Sequence, residues 1–344
     1  MDKLYFGSDY QQGAHPAILR RLVDTNLDKH PGYGTDDCCA AAREKIRAAC
    51  QCPDAAVHFL VGGTQTNATV IDALLRSYQG VIAPETGHIS THEAGAIEFG
   101  GHKVLTLPHQ LGKLSAETID SYCMAYWKDG NREHMVMPGM VYLSQPTEYG
   151  TLYSLRELTA IRQVCDKWSI PLYVDGARLA YALACPENDV TLADLARLCH
   201  VFYIGGTKCG ALFGEAVVAP DPATLPHFFT IIKQHGALLA KGWLLGEQFD
   251  VLFTDGLYEA LGRNAQETAG RLRQILSNYP TAFPSPTNQV FILLENREME
   301  RLAEQVVFGY WEAYDESHTV VRLATSWATT EAELDQLEAV LKQI

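Results

Sequence analysis

The sequence predicts an α/β protein whose large domain carries a mostly parallel sheet flanked by helices, followed by a smaller C-terminal α+β domain. Three observations lead there. From about residue 40 to 240, short β-branched or aromatic runs alternate with helical stretches, the pattern of strands joined by crossover helices. After about 245 the alternation gives way to a long helical stretch, a Pro-rich turn and two further strand-like runs. With 344 residues, 47% of them hydrophobic, the chain can bury one sizeable core and a smaller one.

Taken in order, residues 1–35 contain Gly7, Gly13, Pro16, Pro31, Gly32 and Gly34 and read as an ordered but irregular arm. The large domain, 36–245, holds the expected strands: AVHFLV at 56–61, GVIAP at 80–84, KVLTL at 103–107, MVYLSQ at 140–145, IPLYVD at 170–175, VFYIGG at 201–206 and EAVVA at 215–219. Helices are expected at 65–78, 154–168 and 191–199. Thr64 stands where the first of these would be capped, and Ser154 with Glu157 reads as a capping box for the second. The small domain, 246–344, begins with helical YEALGRNAQETAGRLRQILSNY. It continues through the FPSPT turn, the run QVFILLE, a helix, the strand TVVRLAT and a closing helix from about 330. No internal repeat or low-complexity tract interrupts this order.

Composition narrows the function. The chain has 27 Lys+Arg against 41 Asp+Glu, a formal charge of −14 that repels phosphate backbones and anionic membranes, so nucleic acid and membrane partners are not expected. No apolar run reaches the ~18 residues of a membrane span. The opening MDKLYFGSDYQQGAH lacks the apolar core of a secretory leader, so a cytoplasmic location is expected. The nine cysteines are scattered, and neither Cys38-Cys39 nor Cys50-Gln51-Cys52 has zinc-like spacing. Reduced packing thiols and no metal site are expected.

The chemistry gathers where strands end. VFYIGG runs into Thr207-Lys208-Cys209-Gly210, which places a lysine at the carboxyl end of a buried strand among glycines that let the backbone approach a ligand. A lysine in a partly dry site sheds its proton readily and condenses with an aldehyde, the chemistry of pyridoxal 5'-phosphate. Thr207 counts with the same cofactor contacts. That cofactor needs a carboxylate for its pyridine nitrogen at the end of another central strand, and Asp175 in IPLYVD-Gly-Ala-Arg178 fits. Arg178, three residues on, suits a carboxylate or phenolate oxygen. A phosphate needs a helix start with free N–H groups, and Gly62-Gly63-Thr64 after AVHFLV supplies one. Such turns are common in βα units, so the neighbours carry the inference. Neither nucleotide pattern, GxxxxGK[ST] or GxGxxG, is present. His88, after GVIAP, lies at the same edge and can stack on a flat ring or move a proton. His92 and Glu93, one turn further, either line that pocket or form a solvated helix face.

Together, Ser8-Asp9, Tyr33-Gly34, Gly62-Gly63-Thr64, Gly87-His88-Ile89, Asp175-Gly176-Ala177-Arg178 and Gly205-Gly206-Thr207-Lys208 resemble the low-specificity L-threonine aldolase family of fold type I pyridoxal enzymes. The resemblance spans essentially the whole chain. SQPTEYGTLYS at 144–154, GGTKCGALFGEAV at 205–217 and VRLATSW at 321–327 look most similar to the branch containing phenylserine aldolase.

The resemblance implies that Lys208 is the Schiff-base lysine and Asp175 the pyridine-nitrogen partner, with His88 as stacking base or water-orienting group. It also implies Gly63 and Thr64 on the phosphate, and Ser8, Arg178 and Arg322 on the substrate carboxylate. Tyr33 would reach the substrate from the partner of a homodimer or homotetramer, and Lys241, from its KQHGALLAKG context alone, is expected to contact the cofactor's phosphate from that same neighbour. The implied reaction is retro-aldol cleavage of an L-3-hydroxy-amino acid (threonine, allo-threonine or phenylserine type) to glycine and an aldehyde. A β-eliminating lyase or racemase on the same cofactor, or a catalytically silent scaffold, are the alternatives. In one place the chain departs from the family: where many members carry a histidine in an ENTHN-like segment, it reads Ser144-Gln145-Pro146-Thr147-Glu148. Thr147 therefore leaves the substrate's side-chain preference open, and Glu148 is not the favoured substitute.

Overall fold

Apolar runs of four to eight residues need cover on both faces, and the chain supplies it by laying strands side by side under helices. The computed structural model describes residues 3–343. In chain order its strands are β1 (Leu4–Tyr5), β2 (Ala56–Leu60), β3 (Gln79–Pro84), β4 (Lys103–Leu107), β5 (Met137–Ser144), β6 (Leu172–Asp175), β7 (Val201–Gly205), β8 (Glu215–Ala219), β9 (Gln289–Glu295), β10 (Val306–Val307), β11 (Gly309–Ala313) and β12 (His318–Ala324). The large sheet runs β2-β8-β7-β6-β5-β3-β4, a three-stranded sheet runs β11-β12-β9, and β1 pairs with β10. Every residue of β6, β7 and β8 is buried, as befits central strands with helices on both faces.

Strand direction decides where the chemistry lies. β3 to β7 pair in parallel, so their carboxyl ends share one edge, the edge where such sheets bind ligands. β8 runs antiparallel to both β7 and β2. The carboxyl end of β2 therefore joins the same edge, and β8 brings its first residue, Glu215, there too. Glycines let two of these ends close up. A Cβ on Gly176 would stand 2.0 Å from the Tyr203 carbonyl oxygen, and one on Gly205 would stand 2.4 Å from that of Ala177. Only glycine permits this approach, which sets the turn after Asp175 against the turn before Lys208.

The expected strands and helices are present, with ends shifted by a few residues. The largest shift has a consequence: the helix expected from 65 to 78 spans Gly63–Leu74, with Gly62 at its N-cap and no side chain capping it. Thr64 is thus inside the first turn rather than before it. The capping box at Ser154 does form, with N–H···O distances of 3.3 and 2.8 Å. The arm is less irregular than expected. Pro16–Asp24 is a helix, started by His15 and Pro16 and pinned to the core by Ile18 and Leu22, four residues apart. Its first strand belongs with the C-terminal region, because β1 pairs with β10 and the Phe6 carbonyl accepts the Ala324 N–H at 2.7 Å. The boundary expected at 245–246 falls inside the helix Trp243–Leu252, whose Gly246 packs directly on Cys39, so that helix belongs with the large sheet.

Separate apolar cores cover the two faces of the large sheet, and a third lies between the small sheet and the helix Glu331–Leu341. The helix Leu257–Ile275 ties the regions together: Tyr258 donates to the Gly205 carbonyl at 2.9 Å and Gln266 to that of Tyr181 at 2.7 Å. Seven of the nine cysteines are buried, and all nine are free thiols. Among the described residues, no helix is long and apolar enough to cross a membrane.

Candidate active site

At the shared edge lies a cavity of about 210 Å³ that brings Gly63, Thr64, His88, Asp175, Arg178 and Thr207 together around Lys208. One buried carboxylate of its lining is Asp175. The carboxylate accepts hydrogen bonds from Tyr142 Oη at 2.7 Å, Asn67 Nδ2 at 3.0 Å and the Ala177 N–H at 2.9 Å. Burial alone would push its pKa up. His88 and the hydrogen bonds outweigh burial and hold the carboxyl below its ordinary range, so it is ionised.

Lys208 faces the opposite balance. Burial first, and then the Arg178 charge, lower its pKa, while Asp9, Asp175 and Glu215 pull it back up. An amine eased toward its neutral form is the nucleophile that condensation with an aldehyde requires. Glu215 was not foreseen as a site residue. It is buried, accepts the Gly206 N–H at 3.1 Å, and is pushed by burial up to a pKa of about 8. A charged residue opening an otherwise apolar strand, EAVVA, was the signal for it.

His88 begins a short helix. Its Nδ1 lies 2.7 Å from Glu93 Oε1, and its backbone N–H donates to Glu148 Oε1 at 3.0 Å. Glu93 also accepts from Asn67 Nδ2 at 2.7 Å, so Asn67 bridges it to Asp175. The alternative of a solvated face at 92–93 is thereby set aside for Glu93, which is fully enclosed. His92 sits with its ring 5.6 Å from that of His88, and burial lowers its pKa. Asn67 and Tyr142 escaped the sequence reading because a polar residue on a buried helix face or strand announces no partner by itself.

The arm and the small sheet build the adjoining corner. Arg178 grips Asp9 with both prongs of its guanidinium, Nε at 2.6 Å and Nη2 at 3.0 Å. Asp9 also accepts Asn288 Nδ2 at 2.9 Å; against the cost of burial, the Arg178 charge holds its pKa at about 2. Arg322 donates to the Gly7 carbonyl at 2.9 Å and to Gln289 Oε1 at 3.0 Å. Ser8 therefore stands between residues held by the two arginines. Ser8 Oγ and Arg322 Nε are buried without a hydrogen-bond partner among the described residues. Buried donors are normally satisfied, so both atoms stand out, with the Arg322 guanidinium lying alongside Gly309 of β11.

Tyr33 and Lys241 are not brought to the cavity within one chain. They neighbour each other, the Tyr33 N–H donating to the Ala240 carbonyl at 3.1 Å, on a separate stretch where Lys233 Nζ lies 4.3 Å from the Tyr33 ring centre.

The residues present fit pyridoxal phosphate. The uncapped start of the helix Gly63–Leu74 offers free N–H groups to a phosphate. Gly63 keeps that turn open, since a Cβ there would come within 3.3 Å of Tyr203 Oη. Asp175 is an ionised carboxylate at the cavity floor, and Lys208 is a depressed amine.

Comparison with known proteins agrees with this geometry. Residues 6–297 match the family model described as beta-eliminating lyase. A low specificity L-threonine aldolase of Pseudomonas sp. is 30% identical over 98% of this chain and 97% of its own length. The chain belongs to the threonine aldolase family of beta-eliminating lyases. Another aldolase of the same name, from Pseudomonas aeruginosa, is 31% identical over 86% of each chain. A solved Leishmania major threonine aldolase superposes with a TM-score of 0.95 at 45% identity, covering 98% of both chains. The family's enzymes use pyridoxal phosphate, and the fold of this member is fold type I.

Proposed function

We propose that this chain cleaves L-3-hydroxy-amino acids of the threonine, allo-threonine or phenylserine type to glycine and an aldehyde, with pyridoxal phosphate held on Lys208. The observation that carries the reading is the pairing of two features. Lys208, its pKa depressed, lines one cavity with an ionised Asp175, and two buried polar atoms of the adjoining arm and small sheet, Ser8 Oγ and Arg322 Nε, have no hydrogen-bond partner among the described residues. The first suits the cofactor and the second an amino-acid substrate.

Pyridoxal phosphate in this site supplies an electron sink for the pair left on Cα when the Cα–Cβ bond breaks. Gly63 and Thr64 hold its phosphate at the helix start, with Gly62 and Thr207 beside them. Asp175 would keep the pyridine nitrogen protonated, its own hydrogen bonds from Tyr142, Asn67 and Ala177 favouring its ionised form. His88, oriented by Glu93, would cover the cofactor's ring. Lys208 would anchor the cofactor through its amine and, once free, could carry the proton that Cα gains. Ser8 and Arg322, with the free edge of Arg178, would hold the substrate carboxylate and so fix which bond to Cα is aligned for cleavage.

Tyr33 and Lys241 act from the neighbouring subunit of a homodimer or homotetramer, which accounts for their distance from Lys208 within one chain. β-Elimination is the second reading, favoured by the match to the beta-eliminating lyase model. Product analysis separates the two. Threonine, allo-threonine and phenylserine incubated with the holoenzyme should yield glycine and an aldehyde. Pyruvate and ammonia from serine, with no aldehyde from any of the three, would replace this reading with elimination.

A further inference from the structure

The wall expected to contact the substrate's side chain is built differently from its sequence alignment. Thr147 turns away from the cavity. Its hydroxyl lies 2.7 Å from that of Thr151 and 3.3 Å from the Leu111 carbonyl, while its neighbours Pro146 and Glu148 line the cavity. Glu148 is anchored through one oxygen only. Oε1 accepts Ser144 Oγ–H at 2.7 Å and the His88 N–H at 3.0 Å. Oε2 is buried and has no partner among the described residues. Two donors thus fix the carboxyl plane and leave one oxygen for a ligand group.

We infer that Glu148 is the base that takes the β-hydroxyl proton of the substrate as the Cα–Cβ bond breaks, a role that rests on the aldolase reading above. The step balances within the site. The hydroxyl proton moves to Glu148 Oε2, and the O–H electron pair becomes the second C–O bond of the departing aldehyde. The Cα–Cβ pair stays on Cα, which later gains a proton, so the net change moves one proton from oxygen to carbon. Neither an oxidant nor a second substrate is needed.

The surroundings suit a base. Burial raises the Glu148 pKa, so its carboxylate is more basic than one in water. The groups facing it are Asp175, which raises it further, and His88, which lowers it, with Arg178, Tyr142, Tyr149 and Tyr153 around them. The His88 ring keeps only Nε2 free, because Glu93 engages its Nδ1, and the ring is assigned above to the cofactor. Thr147 has no basic atom to offer at all.

The test uses two reactions of the holoenzyme. Exchange of glycine α-protons with deuterated solvent needs the cofactor and Lys208 but no β-hydroxyl, whereas phenylserine cleavage needs both. In Glu148→Gln, whose amide oxygen can still accept from Ser144 and His88, cleavage kcat should fall about 10²–10⁴-fold, as for loss of a general base. Glycine exchange should stay within a few-fold, and the acidic limb of the cleavage pH profile should vanish. The wild-type limb has a definite sign: activity is lost as pH falls and Glu148 takes up its proton. Glu148→Asp, which keeps the carboxylate but withdraws it, should recover part of the rate together with the limb. Cleavage undiminished in Glu148→Gln, or an unchanged acidic limb, overturns the role. So does loss of exchange and cleavage in equal proportion, which is what a purely structural residue would give. Wild-type protein that exchanges glycine protons yet releases no aldehyde would sink the aldolase reading itself, and this role with it.

Discussion

The floor of the cavity and its arm-side corner are built to different degrees of completion. At the floor, Asp175 is satisfied three times over, by Tyr142, Asn67 and a backbone N–H. In the corner, Ser8 Oγ and Arg322 Nε are buried with nothing to bond. An orphaned buried donor costs about 1–3 kcal/mol, so the corner carries a penalty that the floor avoids. On the proposed reading, the difference separates the half of the site finished by the fold from the half that a ligand would finish. The floor stands ready for a group that stays, and the corner for one that comes and goes.

The largest effect should come from the residue between them. Lys208→Ala should abolish the visible Schiff-base absorbance and reduce turnover to background, measured as aldehyde release. Undiminished release would remove the anchor on which both halves of the comparison depend. Next is the floor. Asp175→Asn keeps the shape but loses the charge that maintains the ring proton, and should lower kcat about 10²–10³-fold, the scale of one removed electrostatic stabiliser. KM should change little. In the corner, Arg322→Gln should behave the other way. Losing a charged hydrogen bond to a carboxylate, about 1.5–3 kcal/mol, should raise KM roughly ten- to hundredfold with a smaller change in kcat. If both variants changed kcat and KM alike, the division into cofactor floor and substrate corner would fail.

That division also explains what the sequence made legible. Lys208, Asp175, Gly63 and His88 follow strands, and a parallel sheet delivers every such residue to one edge, so motif order was enough to gather them. Residues that work by supporting another residue left no comparable trace. Asn67 is one polar side chain inside a helix, yet it bridges Asp175 and Glu93. Glu148 was named only as a disfavoured substitute for the family's histidine, whose place Thr147 takes in the sequence, whereas the chain's turn after β5 decides which side chain faces the cavity. The helix Pro16–Asp24 was masked by the glycines and prolines around it, although Ile18 and Leu22 carried its period.

The smallest expected effect tests whether the floor is assembled before any cofactor arrives. Glu215 belongs to that side, brought there by the single antiparallel strand. In the folded chain burial pushes its pKa from 4.5 to about 8, even though Lys208 and the Gly206 N–H act to lower it. A carboxyl raised on folding stabilises the fold in its protonated form. Its contribution is fully present below about pH 4.5 and is lost as pH rises toward 8. In protein stripped of pyridoxal phosphate, Tm should therefore carry a downward component across that window, which Glu215→Gln removes while leaving the low-pH Tm nearly unchanged. Thermal melts at half-unit pH steps measure it. Identical pH slopes in the two proteins would mean that water or movement relieves Glu215 when the cofactor is absent. The floor would then be as unfinished as the corner, and the contrast between them would belong to the loaded enzyme alone.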